Sequence, residues 1–225
     1  MEQGIPYLLS NDDWVTGILL VCFLITSYVL SHGRSLFFQS IRKLFSAYEI
    51  NHIFHKKTIV DTFCLLLLNL QTCLLVSILL LKVVSENETL TYSVAIILLA
   101  CYSLIIFLYL LVKRIFYRFV NWVFFDKIKN SLWIDSYFFI ISIGGILLLP
   151  ITLLIVYSSV SSYLSILLPA ILLFLMNLYF IYRCFSIFFS QLHGFCYLFL
   201  YFCTLEILPF LFVGKVIRML NDIFI

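Results

Sequence analysis

Charged residues are scarce in this chain. Only 11% of its 225 residues are Asp, Glu, Lys or Arg, whereas 64% are hydrophobic, and the mean hydropathy is +1.15. A soluble domain has about 25% charged residues and roughly 45–50% apolar ones. A water-soluble core cannot bury this much apolar surface. The excess must face lipid, and the composition therefore predicts a polytopic membrane protein with a single integral membrane domain over residues 1–225.

Sequence motifs that carry catalysis are missing as well. The chain contains no Walker loop, no GxSxG, no HExxH, no GxGxxG and no acidic cluster for divalent metals. No stretch is long enough to form the basic patch of a folded nucleic-acid-binding domain, which argues against a nucleic-acid partner. The seven cysteines form no CxxC pair, are odd in number and lie almost entirely in apolar runs. We interpret them as small buried hydrophobic residues and expect no disulfide framework, zinc site or cofactor.

Six apolar runs are long enough to cross the hydrocarbon core as helices, for which about 20 residues are needed. Strands are excluded because the runs are too long and do not alternate. The predicted fold is an all-α bundle of about six transmembrane helices, with spans near 14–31, 58–84, 91–112, 136–157, 162–182 and 193–213. In the fourth span Gly144 and Gly145 precede Pro150, a pattern that permits a kink or a close helix contact.

The basic residues predict an orientation. Eleven of the 14 lysines and arginines fall in the first, third and fifth connectors. The positive-inside rule places these connectors in the cytoplasm and both termini outside. The basic segment 214–220 fits this topology less well. The residues expected at the membrane interface are Arg34, Arg42, Lys43, Lys56, Lys57, Arg114, Arg118 and Arg183.

The same three connectors are rich in aromatic residues. Segments 34–49 and 114–130 carry Phe, Tyr and Trp at helical spacing, interleaved with arginines and lysines, and 183–192 is a shorter version. Aromatic rings and basic side chains are both stable at the interface between lipid and water. The pattern predicts amphipathic connector helices that lie in the membrane interface.

Two histidines precede the second span. His52 and His55 are three residues apart and would share one face of a helix, so that they are weak candidates for metal ligands, with Glu49 or Asp61 as a third ligand. Lys56 and Lys57 follow directly, and the alternative is a basic collar at the membrane surface. We favour the collar, because no zinc motif accompanies the pair.

Glu206 falls near the middle of the sixth predicted span. A charged side chain at the bilayer centre costs at least about 3 kcal/mol. Such a residue is normally turned inward, protonated or paired, and Asn69, Gln71 and Asn177 are polar residues at similar depth. We predict an intramembrane polar cluster of these four residues. It would serve as hydrogen-bonding glue between helices, or alternatively as a carboxylate that binds a proton or a ligand.

Three segments carry a family resemblance: the acidic residues before the first span (LLSNDDWVTGILLVCFL), the segment after it (SHGRSLFFQSIRKLFS) and the third connector (KRIFYRFVNWVFFDKIKNSLWID). On these features the whole chain resembles an uncharacterised Bacteroidota family of polytopic inner-membrane proteins, the domain of unknown function 4271 type. The resemblance implies a multi-pass protein of the bacterial cytoplasmic membrane. It implies no catalytic residues.

Three functions are compatible with these observations. The first is a scaffold or accessory subunit of an envelope membrane complex, with the lipid bilayer and membrane proteins or further copies of the chain as partners. The second is a small transporter or channel that uses Glu206. A membrane-embedded enzyme is the third, and it lacks an evident nucleophile.

Overall fold

The computed structural model describes residues 13–32, 59–87, 91–124, 127–158, 162–188 and 208–224. These residues form six helices: α1 (Asp13–His32), α2 (Ile59–Asn87), α3 (Tyr92–Phe124), α4 (Lys127–Tyr157), α5 (Ser162–Phe188) and α6 (Leu208–Phe224). The described ranges contain no strand. Helices satisfy every backbone N–H and C=O within one segment, as lipid requires. The all-α prediction is confirmed.

Five of the helices are long and apolar enough to cross a membrane. Their apolar stretches are Asp13–His32, Thr62–Ser85, Tyr92–Phe119, Ile134–Tyr157 and Tyr163–Tyr182. Each contains most of one of the first five predicted spans, so the chain is a multi-pass membrane protein. The sixth predicted span, 193–213, lies mostly outside the described residues, and only its last part, from 208, is described, as the beginning of α6.

Helices α1 and α2 run in opposite directions. So do α4 and its neighbours α3 and α5, because Tyr137, in the first part of α4, contacts Tyr117 and Phe180, in the last parts of α3 and α5. Val29, near the end of α1, packs with Cys64 and Leu68, near the start of α2. These contacts place the end of α1 beside the beginning of α2. We call the two ends of the bundle the Asp13 end and the His32 end, after the first and last residues of α1.

Helices α2 and α4 form the centre of the bundle. Over an 18-residue apolar segment of each, 56% of the residues are buried, compared with 22% for α1, 22% for α3 and 17% for α5. The core therefore lies along α2 and α4, and the other three spans surround them. The largest fully buried core side chains include Tyr102, Tyr117, Leu68, Leu75, Ile78, Leu81, Leu98, Ile140 and Ile155.

Helix α4 approaches two neighbouring helices closely at the glycine pair. A Cβ atom on Gly145 would lie 2.1 Å from Cγ2 of Thr72 in α2. A Cβ atom on Gly144 would lie 2.7 Å from Cε of Met176 in α5. The absence of a side chain thus lets α4 pack against two neighbours at one level, which is the close helix contact that the sequence permits.

The connectors differ from the predicted separate interfacial helices. Helix α3 continues without a break to Phe124 and α4 begins at Lys127, so that most of 114–130 extends the two spans. Likewise, 183–188 continues α5. Neither 113–124 nor 183–188 contains Gly or Pro, and a continuous helix keeps the backbone bonds that a break would lose. Segment 34–49 lies outside the described residues.

The C-terminal segment is helical as far as Phe224, beyond the expected end of the last span at 213. Ile217 and Leu220 of α6 pack against the core of the bundle. The Tyr102 hydroxyl of α3 donates a hydrogen bond to Oδ1 of Asn221. The segment 214–220, which fitted the predicted topology poorly, therefore belongs to a helix that docks on α3.

Candidate functional site

The predicted polar cluster is centred on Gln71, whose side chain is fully buried. Its Nε2 donates to Oγ1 of Thr26 in α1 at 2.8 Å, and its Oε1 lies 3.0 Å from the same oxygen. The Thr26 hydroxyl is also 3.0 Å from the carbonyl oxygen of Cys22, one turn earlier in α1. An amide and a hydroxyl thus join α1 to α2 inside the apolar core. The hydrocarbon interior of a membrane has no water that could bond these groups instead, so the hydrogen bonds between them are hard to replace.

Asn69 lies on the side of α2 that faces α4. Its Oδ1 is 3.5 Å from Oγ of Ser142, which donates a shorter bond of 2.9 Å to the carbonyl oxygen of Phe138 in its own helix. Thr72, which touches Gly145, directs its hydroxyl to the carbonyl oxygens of Leu68 and Asn69, at 3.1 and 2.7 Å. The polar contacts of α2 therefore reach two neighbouring helices.

The polar side chains in these contacts are neutral amides and hydroxyls. They supply hydrogen bonds between helices, but no group that titrates near neutral pH and no ligand set for a metal ion. Among the described residues no group of three or more His, Cys, Asp or Glu could hold a metal ion. What this cluster can do chemically is to fix the rotation of α1, α2 and α4 relative to one another.

The structure does not join Asn177 to these residues. Its Nδ2 donates to the carbonyl oxygen of Leu173, one turn earlier in α5, at 3.0 Å, and its side chain is exposed. Among the described residues, Asn69 and Gln71 are thus engaged inside the bundle, whereas Asn177 is exposed.

Several predicted site residues lie outside the described part of the chain. These are Glu206, the histidines His52 and His55, and the basic residues Arg34, Arg42, Lys43, Lys56 and Lys57. Arg183 falls in α5, but its side chain is also outside the description. The carboxylate and metal-ligand hypotheses remain predictions from the sequence.

A second cluster, around Lys113, was not predicted. Lys113 is only 4% exposed, although the sequence analysis counts it among the connector charges. Its Nζ donates to the Tyr109 hydroxyl at 3.1 Å and lies 5.2, 5.0 and 6.0 Å from the ring centroids of Tyr109, Tyr137 and Tyr117. These distances suit attraction between a cation and the electron-rich faces of aromatic rings. The sequence signal is Tyr109, Lys113 and Tyr117 at successive four-residue steps, which places them on one face of α3.

Tyr137 of α4 connects three helices at the His32 end. Its ring is stacked on Phe180 of α5, with centroids 4.7 Å apart, and lies 4.9 Å from the ring of Tyr117 of α3. Next to it, Cζ of Arg114 is 5.0 Å from the ring centroid of Phe138. The cluster holds a buried positive charge and clamps α3, α4 and α5 together.

Comparison with known proteins identifies a family and no function. A comparison with curated proteins and one with solved structures each give no match. The family model described as "Domain of unknown function (DUF4271)" matches residues 15–217, which include both clusters and all of the five apolar spans except the first two residues of α1. This chain therefore belongs to the DUF4271 family of domains of unknown function.

Proposed function

We propose that this protein is a non-catalytic scaffold or accessory subunit of a larger complex in the bacterial cytoplasmic membrane. The observation that carries the proposal is the use of the polar groups inside the bundle. Gln71 is fully buried and bonded to Thr26, and Ser142 is fully buried and bonded to its own helix. A proton relay or a transport pathway across a membrane uses ionisable groups that face a cavity. These neutral, buried groups suit the assembly of helices instead.

The outer surface supports the same role. Helices α1, α3 and α5 are mostly unburied along their apolar stretches and present large side chains outward. Examples of at least 54% exposure are Phe23, Leu24, Leu104, Ile115, Phe119, Tyr163, Phe174 and Leu175. Lipid and the helices of partner proteins can both cover such a surface.

The proposal is tested by purifying a tagged copy from its native membrane in a gentle detergent and identifying the recovered proteins by mass spectrometry. We expect at least one other membrane protein in a constant ratio to the tagged chain. A second tag position, before α1 instead of after α6, controls for a tag that blocks a contact. Recovery of this chain alone from both tagged versions would refute the proposed role.

A further inference from the structure

Two arginines lie side by side on the exposed face of α3, near the end of its apolar stretch. Arg114 and Arg118 are four residues apart, a spacing that places their Cβ atoms about 5–6 Å from each other, and both side chains are exposed. The guanidinium of Arg114 lies against the ring of Phe138, with Cζ 5.0 Å from the ring centroid. This contact holds the group at the surface of the bundle. We call Arg114 and Arg118 the arginine pair.

The arginine pair lies at the depth of lipid headgroups. Helix α3 begins at the exposed Tyr92, and tyrosine is typical of the membrane interface. At a rise of 1.5 Å per residue, Arg114 is about 33 Å and Arg118 about 39 Å further along the helix. The hydrocarbon core is about 30 Å thick, and the headgroup regions extend the bilayer to about 40–45 Å. A helix that starts at one interface therefore brings both guanidinium groups to the phosphates of the opposite interface.

Two neighbouring guanidinium groups attract an anion. Like charges at a four-residue spacing repel each other and destabilise a helix. Each guanidinium can donate two parallel N–H bonds to a phosphate, and its planar fork suits phosphate better than the ammonium group of a lysine does. A phosphate between the two groups would reduce the repulsion and accept hydrogen bonds from both.

An apolar stripe extends from the arginine pair toward the middle of α3. Leu104, Leu108, Leu111 and Ile115 follow one another at spacings of four, three and four residues, and all four are exposed. Residues at these spacings share one face of a helix. An acyl chain can lie along this stripe while its headgroup reaches the arginines, whereas a free phosphate ion has no apolar part to place there.

We propose that the arginine pair binds the phosphate of an anionic phospholipid whose acyl chain lies along this stripe. Charge complementarity selects the headgroup. A lipid with a net negative charge offsets one of the two guanidinium charges, whereas a choline headgroup brings another positive charge close to them. The inference goes beyond the proposed function, and its test uses the purified chain and lipid alone, so that the result does not depend on a partner protein.

The proposal is tested by native mass spectrometry of the full chain in a mild detergent, with dioleoylphosphatidylglycerol or dioleoylphosphatidylcholine added. The two lipids share the phosphate and the acyl chains and differ in the net charge of the headgroup. We expect the dissociation constant for phosphatidylglycerol to be lower by about tenfold or more. Equal affinity for the two lipids would overturn the proposal, and it is the result expected if a carboxylate of the chain itself neutralises the pair.

The arginines are tested with the double variant Arg114→Gln and Arg118→Gln. It should reduce the affinity for phosphatidylglycerol to that for phosphatidylcholine, because it removes both charges and keeps the apolar stripe. The matched control is the double variant Lys215→Gln and Arg218→Gln, which removes two exposed positive charges from α6 and should keep the preference. A preference that survives without the arginine pair, or that is lost equally in the control, would contradict the inference.

The single variant Arg118→Gln guards against an effect on folding, because Arg114 keeps its contact with Phe138. It should weaken binding of phosphatidylglycerol about threefold or more, with no change in the unfolding temperature of the lipid-free protein. Unchanged binding would count against the site. Sodium phosphate is also compared with sodium chloride at equal ionic strength. Displacement of the lipid by phosphate alone would show a site for the free ion and would refute a lipid site.

Discussion

Gln71 and Thr26 depend on each other unequally. In the described part of the chain, the side-chain bonds of Gln71 all go to Thr26, whereas the Thr26 hydroxyl is also within bonding distance of Cys22 in its own helix. Removing the threonine hydroxyl therefore leaves a buried amide without a partner. Removing the amide leaves a hydroxyl that is still satisfied. The asymmetry matters because an unsatisfied buried polar group costs more than a bond contributes.

This asymmetry gives the first prediction. Thr26→Val should lower the free energy of unfolding by about 1–3 kcal/mol, because it leaves the buried Gln71 amide without its hydrogen-bond partner. Gln71→Leu should lower it by only about 0.6–2 kcal/mol, the range for a hydrogen bond between membrane helices. Thermal and chemical unfolding in detergent of both variants and of the double variant measures the coupling. A Thr26→Val protein more stable than Gln71→Leu would contradict the bonding scheme.

The second prediction at the residue scale concerns the contribution of the Tyr137 ring to stability. Tyr137→Leu should destabilise the protein by roughly 1–2 kcal/mol relative to Tyr137→Phe, because leucine loses the stacking on Phe180 and the attraction to Lys113. Tyr137→Phe is the matched control, since it keeps the ring and removes only the hydroxyl. Unfolding temperatures of the two variants, measured in one detergent, give the comparison. Equal stability of the two would show that the aromatic clamp contributes nothing.

A substitution of Glu206 distinguishes the scaffold role from the transport hypothesis. Glu206→Gln keeps the size and the hydrogen bonding of the side chain and removes its titratable proton. On the scaffold hypothesis we expect normal membrane insertion, normal recovery of partners and full complementation of a deletion strain, because an amide replaces a protonated carboxyl group. A variant that inserts normally but fails to complement would favour transport instead. Comparing its abundance with that of the native chain in the membrane fraction controls for misfolding.

At the scale of helices, hydropathy predicted the first five spans but not their rotation. Leu, Ile and Phe surround most of these helices, so no apolar stripe distinguishes the side that faces the core. The polar residues determine which side of a helix faces the core by bonding to specific residues of neighbouring helices. Such pairs cannot be recognised in a single sequence. Gln71 was predicted to lie in a polar cluster, but its partner Thr26 was not. Lys113 was missed for a similar reason, because its burial depends on tyrosines one turn away on either side and on Tyr137 of another helix.

The helix scale has its own prediction at the glycine pair. Gly145→Ala should destabilise the bundle by about 1–3 kcal/mol, because the new methyl group overlaps Thr72 and forces α2 and α4 apart. In the Gly145→Ala protein, the second substitution Thr72→Ser removes the methyl group that would lie 2.1 Å from the alanine Cβ and should restore much of the lost stability. Unfolding of the single and double variants in detergent provides the measurement.

Gly17 in α1 is a matched control for Gly145. A Cβ atom on Gly17 has nothing within 4 Å, so Gly17→Ala tests helix propensity alone and should be neutral or slightly stabilising. A loss of stability from Gly17→Ala as large as that from Gly145→Ala would mean that glycine acts in this bundle through the conformation of the backbone and not by allowing close contact between helices.

For the whole molecule, the described side-chain bonds between α1, α2 and α4 use neutral amides and hydroxyls, whereas the cluster around Lys113 lies at one end of the bundle. Lys113 and Arg114 lie at the His32 end, where their side chains contact the aromatic rings of Tyr137 and Phe138. Rings and basic side chains together are typical of a membrane interface. We expect a lysine held in that position to resist transfer across the bilayer, so that the cluster would favour one orientation of the protein in addition to its packing role.

The orientation itself is the last prediction. The alternating spans place the ends of α2 and α4 at the Asp13 end and the start of α4 at the His32 end. Because most basic residues fall in connectors at the His32 end, we expect that end in the cytoplasm and both termini in the periplasm. Reporters fused at Asn87 and Ser161 should be active outside, and reporters at Glu49 and Lys129 should be active inside. Each site is tested with both a periplasmic and a cytoplasmic reporter. A site on the opposite side of the membrane is then distinguished from a fusion protein that is not produced. Reversed activity at any of the four sites would refute this topology, because one inverted connector is incompatible with the alternation of the spans.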